Sequence, residues 1–229
     1  MTGETLDIIQ HPSTNFGPRR DNARPSLVVI HYTAMSDAQS ALNTLCSPEN
    51  EVSAHYLISS KGDIYQMVDE DKRAWHAGAG CWKGITDVNS HSIGIELDNK
   101  GNHAFSEPQM SALEPLLSVI LKRWNIAPSG VIAHSDLAPH RKIDPGKRFD
   151  WARLAKLGLA VWPDGKHGKG DWSQKARAFG YPLDGDQDEG TVNSVCFQAF
   201  RSRFRPWATG PEDAEDRRIM ARLLAQMAP

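Results

Sequence analysis

Five short apolar runs punctuate the first 135 residues: SLVVIHY (26–32), AHYLIS (54–59), DIYQMV (63–68), HSIGIEL (91–97) and GVIAHS (130–135). Each is rich in β-branched or aromatic residues. Several are apolar at successive positions, the pattern of strands covered on both faces. HYLISSKGDIYQMV reads as a hairpin that turns at Ser60-Lys61-Gly62-Asp63. Helical stretches lie between the runs. The clearest is 107–124, where Ser106 and Gln109 make an S-x-x-Q capping pattern and Pro108 suits the first turn. Met110, Leu113, Leu116, Leu117, Ile120, Leu121 and Trp124 then fall on one stripe. Shorter helices are expected at 37–45, opened by Asp37, and at 151–157, opened by Asp150. Strands alternating with helices predict an α/β domain over residues 1–160.

The composition changes at 161–171, a Gly-, Lys- and Asp-rich stretch that reads as a linker. Residues 172–229 lack strand patterns and offer three helices, WSQKARAFG, TVNSVCFQAFRSRF and EDAEDRRIMARLLAQM. They predict a small all-α domain, too short to be very stable alone. A net charge of −2, with both signs dispersed, argues against nucleic-acid binding, which needs a basic face. Arg201, Arg203 and Arg205 are the local exception. Three cysteines, none in a C-x-x-C spacing, read as free thiols. No run approaches the ~18 apolar residues of a membrane span. MTGETLDIIQHPSTNFGPRR has no basic stretch followed by an apolar one. As the sequence stands a cytoplasmic location is expected, with the periplasm or cell envelope as the alternative if an export signal was removed. A monomer is expected.

Two strand runs deliver a histidine at the same place: VVI leads into His31 and VIA into His134. A single histidine after a strand is more often a packed core residue. Two at matching positions, with Asp144 on a Pro145-Gly146 turn ten residues after the second, also fit a His₂-carboxylate catalytic zinc arrangement. The residues alone leave both open. Glu96 ends the run SIGIE, either as a glutamate reaching solvent or as a desolvated carboxylate suited to proton transfer. HAGAGCWKG misses the dinucleotide-loop spacing. DGDQDEG (184–190) imitates a calcium loop but has Glu189 where Gly is needed. Cys196 sits on an apolar helical face and reads as core.

The stretches PSTNFGPRR, VVIHYTA, VSAHYLI, AWHAGAGCWKG, NSHSIGIEL and AHSDLAPHRKIDPGKRFDW, in this order, resemble the zinc amidases that cut N-acetylmuramoyl-L-alanine bonds, the AmpD/AmiD-type amidase_2 family. GLAVWPDG and FQAFRSRFRP look like the AmiD-type branch, whose C-terminal helices are similar to peptidoglycan-binding domains. The resemblance implies a central mixed β-sheet flanked by helices, followed by the helical domain. It implies one Zn²⁺ per chain on His31, His134 and Asp144, with Glu96 as general base and Lys142 as the cation facing the oxyanion. The implied substrate is the amide between the lactyl group of N-acetylmuramic acid and L-alanine, in muropeptides or the sacculus. Trp75, His76 and Asn89 are expected to line the groove for sugar and peptide. The plainer alternative has Trp75 packing under the loop and His76 capping a turn. Two positions depart from relatives. Ala54 stands where phage-type enzymes have a tyrosine, and Asp87 where cytosolic recycling enzymes tend to have an arginine. The rival readings are a non-catalytic peptidoglycan-binding protein and a zinc hydrolase of another amide.

Overall fold

A computed structural model describes residues 6–164, 168–183 and 189–227, with side chains from 194 onward in the last stretch. Strands are β1 (Ile8–Gln10), β2 (Phe16–Pro18), β3 (Leu27–Tyr32), β4 (Tyr56–Ile58), β5 (Ile64–Gln66), β6 (Lys72–Ala74), β7 (Ser92–Leu97) and β8 (Val131–Ala133). Helices are α1 (Ala38–Cys46), α2 (Val88–His91), α3 (Glu107–Trp124), α4 (His134–Leu137), α5 (Trp151–Lys156), α6 (Trp172–Phe179), α7 (Glu189–Phe204) and α8 (Ala214–Ala225). Six strands form one sheet in the order β1-β5-β4-β7-β3-β8, while β2 and β6 pair separately. The sheet is mixed, because the β4–β5 hairpin is antiparallel and the other neighbours run parallel.

Alternation along the strands sorts the core into two sides. Val28 and Ile30 of β3, with Ile93, Ile95 and Leu97 of β7, pack against the Met110–Leu121 stripe of α3. Leu27 and Val29 face the opposite way, into a core that also holds Trp172, Phe179, Tyr181, Phe200, Phe204 and Leu223 from the C-terminal helices. Those helices therefore share their apolar core with the sheet. Trp82 fastens the seam, edge-on to Phe179 at 5.7 Å and to Tyr181 at 5.3 Å. Gly180, at φ 139°, lets the chain pass so close that a Cβ there would lie 2.8 Å from the Trp82 ring.

The arginine cluster makes no basic patch. Arg201 pairs with Asp216 at 2.6 Å, Arg203 with Asp136, and Arg205 with Asp213 and Asp216. No helix among the described residues is long and apolar enough to cross a membrane.

Two local expectations need correction. The VIA strand stops at Ala133, and His134 opens α4 instead of continuing the strand. The Asp136 carboxylate takes the Ala133 N–H at 2.9 Å, which turns the chain into the helix there. At α3, Ser106 caps the Gln109 N–H as expected, but the Gln109 side chain does not close the box. It is fully buried and donates to the carbonyls of Ile58 and Asp98, tying the helix to the sheet.

Candidate metal centre and active-site cleft

His31 has the same parity as Leu27 and Val29, so its ring leaves the sheet on the side of the C-terminal helices. In the parallel β3–β7 register His31 stands beside Glu96, and Ser92, Gly94 and Glu96 share that face. His134 comes in from the start of α4, and Asp144 from the turn after it, where the Ser135 N–H donates to the Asp144 carbonyl at 3.0 Å. Gly146 takes a left-handed φ of 75°, which a glycine adopts without strain. Arg141 binds the loop to the carbonyls of Ala77 and Ala79. The side chains of His31, His134 and Asp144 thus converge, all three buried.

Their contact distances are short and even. His31 Nδ1 lies 2.9 Å from His134 Nδ1 and 3.1 Å from Asp144 Oδ2, and His134 Nδ1 is 3.0 Å from that same oxygen. The surrounding hydrogen bonds fix which nitrogens carry protons. His134 Nε2 faces the Ala77 carbonyl at 3.0 Å, which can only accept. Ser92 Oγ donates to the Val88 carbonyl at 2.6 Å, so it accepts from His76 Nε2 at 3.1 Å. His76 Nδ1 is then an acceptor for His31 Nε2–H at 3.0 Å. In the neutral tautomers that these bonds select, both imidazoles turn a bare Nδ1 lone pair toward a carboxylate oxygen. Three acceptors then meet, and a cation is what reconciles them. Ligands ~2.0–2.1 Å from a tetrahedral ion are spaced about 3.3 Å apart, a few tenths of an ångström wider than here.

The local electrostatics favour the ligating forms. Burial, reinforced by His134, lowers His31 to a pKa of about 4, so its ring is neutral at physiological pH. Burial would raise the Asp144 carboxyl, but the two facing imidazoles outweigh it and hold the group well below the usual carboxylate range. Glu96 is half-buried, and its Oε2 is shielded from solvent without a hydrogen-bond partner. Burial, with the Asp144 charge behind it, pushes its pKa up to about 8, against the pull of Lys142. A cleft of about 360 Å³ opens over these groups. His31, His134, Asp144, Glu96 and Lys142 line it together with Trp75 and His76.

Residues 21–147 match the family model described as N-acetylmuramoyl-L-alanine amidase, Amidase_2. The chain belongs to that family. It is 37% identical over 232 residues to the N-acetylmuramoyl-L-alanine amidase AmiD of Escherichia coli (strain K12), covering 88% of this chain and 83% of AmiD. Against the 1,6-anhydro-N-acetylmuramyl-L-alanine amidase AmpD of Citrobacter freundii it is 35% identical over 163 residues, 64% of this chain and 87% of AmpD. The solved complex of E. coli AmiD with anhydro-N-acetylmuramic acid-L-Ala-D-γ-Glu-L-Lys superposes with a TM-score of 0.81 at 35% identity, covering 91% of this chain and 92% of that one.

In this amidase-family site, two of the three expected groove residues line the cleft. Asn89 is not among the lining residues. It is buried, and its amide oxygen accepts from the N–H groups of His76 and Ala77 at 3.1 and 2.8 Å. Buried Arg19, within PSTNFGPRR, in turn holds the Asn89 and Ser90 carbonyls at 3.2 and 2.7 Å. Trp75 lines the cleft and also a neighbouring hollow beside Arg20, Glu51 and Arg73. Ala54 is fully buried and has no hydroxyl to offer. Asp87 is tied to Arg73 at 2.9 Å and lies 3.8 Å from Arg20.

Sequence reasoning missed Ser92 and Gly94, although the alternation in SIGIE places them on the Glu96 face. The His76 ring lies directly over Gly94, where a Cβ would stand 2.4 Å from His76 Cγ. Gly94→Ala should therefore push His76 off His31. The outer partner of a metal-binding histidine is typically worth 10–100-fold in metal affinity. A loss of about tenfold or more is expected in competition with a chromogenic chelator. Unchanged affinity would mean that His76 does not support His31.

Proposed function

We propose that the protein hydrolyses the amide between the lactyl group of N-acetylmuramic acid and L-alanine of the stem peptide, with one zinc ion held by His31, His134 and Asp144. The substrate class follows from its AmiD and AmpD relatives, and zinc fits a donor set of two imidazoles and one carboxylate. The observation that carries the reading is the meeting of three proton-free acceptors on the wall of a cleft that also holds Glu96 and Lys142. A complete ligand set favours an enzyme over a binding protein.

Bound there, zinc would supply Lewis-acid chemistry, acidifying a water and polarising the scissile carbonyl. The rest belongs to the chain. Glu96 takes a proton from the water as it adds to the lactyl carbonyl. Its Oε2, shielded from solvent and without a hydrogen-bond partner, can hold that proton and then return it to the departing nitrogen. The products are a free lactyl carboxyl group and a peptide beginning with L-alanine. Lys142, two residues before Asp144, brings a positive charge to the developing oxyanion. Burial keeps the His31 and His76 rings neutral, so the proton traffic falls on Glu96.

The test is product analysis after incubation with anhydro-muropeptide, with and without a chelator. Chelator-sensitive release of the intact stem peptide and anhydro-N-acetylmuramic acid is expected. Cleavage inside the peptide, or binding without cleavage, would refute the reading. Lys142→Met should lower kcat by about 10²–10³-fold, the usual loss for one oxyanion donor, at unchanged metal content. Equal loss of metal and turnover would make Lys142 a structural residue.

A further inference from the structure

Two residues of the C-terminal segment grip the backbone that carries a proposed metal ligand. Asp136, two residues after His134, is completely buried in the seam between sheet and helices. Its Oδ1 accepts from the Tyr181 hydroxyl at 2.8 Å. Its Oδ2 accepts from Arg203 Nη1 and from the Ala133 N–H that starts α4. Arg203 also donates through Nη2 to the Val131 carbonyl at 2.8 Å, and its guanidinium lies 4.2 Å from the centre of the Trp151 ring. Tyr181 follows α6 and Arg203 lies in α7, while Val131, Ala133 and Asp136 bracket His134 on both sides.

A buried ion pair contributes little net stability, because desolvating both charges cancels most of their attraction. Its Arg203 Nε, moreover, has no partner. What the arrangement does supply is position. Three directed hydrogen bonds on one carboxylate, and a fourth on the strand before it, leave the strand-to-helix turn little freedom. His134 Nδ1 can then stay 3.0 Å from Asp144 Oδ2 while its Nε2 keeps the Ala77 carbonyl.

We infer that Tyr181 and Arg203 are positioning residues for the metal centre, so that the C-terminal helices complete the site by orienting His134. This role is separate from the wall binding expected of the segment, and it rests on the proposal that His31, His134 and Asp144 bind a metal.

The test uses the full chain and reads zinc affinity by chelator competition. Tyr181→Phe keeps the ring against Trp82 and removes one hydrogen bond; zinc Kd should rise about tenfold. Arg203→Met keeps apolar bulk over Trp151 and should raise it further, toward a hundredfold, with Arg203→Lys recovering part of the loss. Leu223→Ala, a core truncation in α8, is the control: it should lower the melting temperature and leave zinc Kd unchanged. If Tyr181→Phe and Arg203→Met both bind zinc within twofold of the parent, the inference fails even if they melt earlier. If the parent binds no zinc, the metal assignment fails with it, and the two failures are distinguishable.

Discussion

Asp144→Ala is expected to abolish metal binding and amidase activity together. Asp144 Oδ2 is the vertex that both His31 and His134 approach, and it supplies the only negative charge of the trio. Without it, two imidazole nitrogens would face each other 2.9 Å apart with no anion beside them. No other cluster of three metal-ligating side chains is present among the described residues to substitute. Outer partners of ligands already cost 10–100-fold in affinity, so removing a ligand itself should cost at least about a hundredfold. Elemental analysis after dialysis should find about one zinc per chain in the parent and almost none in the variant. Full occupancy in Asp144→Ala would place the metal elsewhere. The parent should also keep its zinc at pH 6, where a free imidazole is mostly protonated. Burial holds His31 neutral down to a pH of about 4, so protonation of His31 should not release the metal at pH 6.

Glu96→Gln should leave zinc content intact and lower kcat by about 10²–10⁴-fold, the usual contribution of a positioned acid–base group. Full activity with metal bound would exclude Glu96 as the proton carrier. The same variant has a stability signature in the metal-free protein. Burial raises the Glu96 pKa from 4.5 to about 8. Between those values the folded chain holds a proton that the unfolded chain has released. The group's contribution to stability is therefore full below pH 4.5 and declines as pH rises through 8. Glutamine cannot ionise, so metal-free Glu96→Gln should gain on the parent between pH 5 and pH 9. At about 1.4 kcal/mol per pKa unit the gain is on the order of a few kcal/mol. Parallel pH–stability curves would mean that Glu96 is already solvated.

Much of this site is written in local alternation. VVIHY puts His31 on the face of Leu27 and Val29, SIGIEL puts Glu96 on the face of Ser92 and Gly94, and the β3–β7 register brings His31 and Glu96 side by side. The hairpin and the three C-terminal helices also stand where turn chemistry and apolar periodicity place them. What was not legible is whatever depends on distant partners. The three-residue strands β1, β2 and β6 carry no pattern of their own; FGP even contains a glycine and a proline, and pairing with β6 is what makes it a strand. His134 opens a helix because Asp136 caps the turn, which a run of apolar residues before it cannot reveal. Asn89 serves the backbone of the preceding loop at His76 and Ala77, and nothing in NSHSIGIEL says so. The Gly- and Lys-rich stretch after residue 160 reads as a linker and says nothing of how closely its two sides pack. The aromatic rings on either side of it nevertheless interlock in one core. DGDQDEG lies largely outside the described residues.

That interlocked seam limits how the tail can be exchanged. A segment whose rings nest against Trp82, Leu137 and Ile132 is no detachable cartridge. Grafted onto a foreign enzyme it would show water an uncovered aromatic face, and cut away it would leave the same face bare on the parent. Descendants of this chain must inherit both halves of the joint, or rework them together.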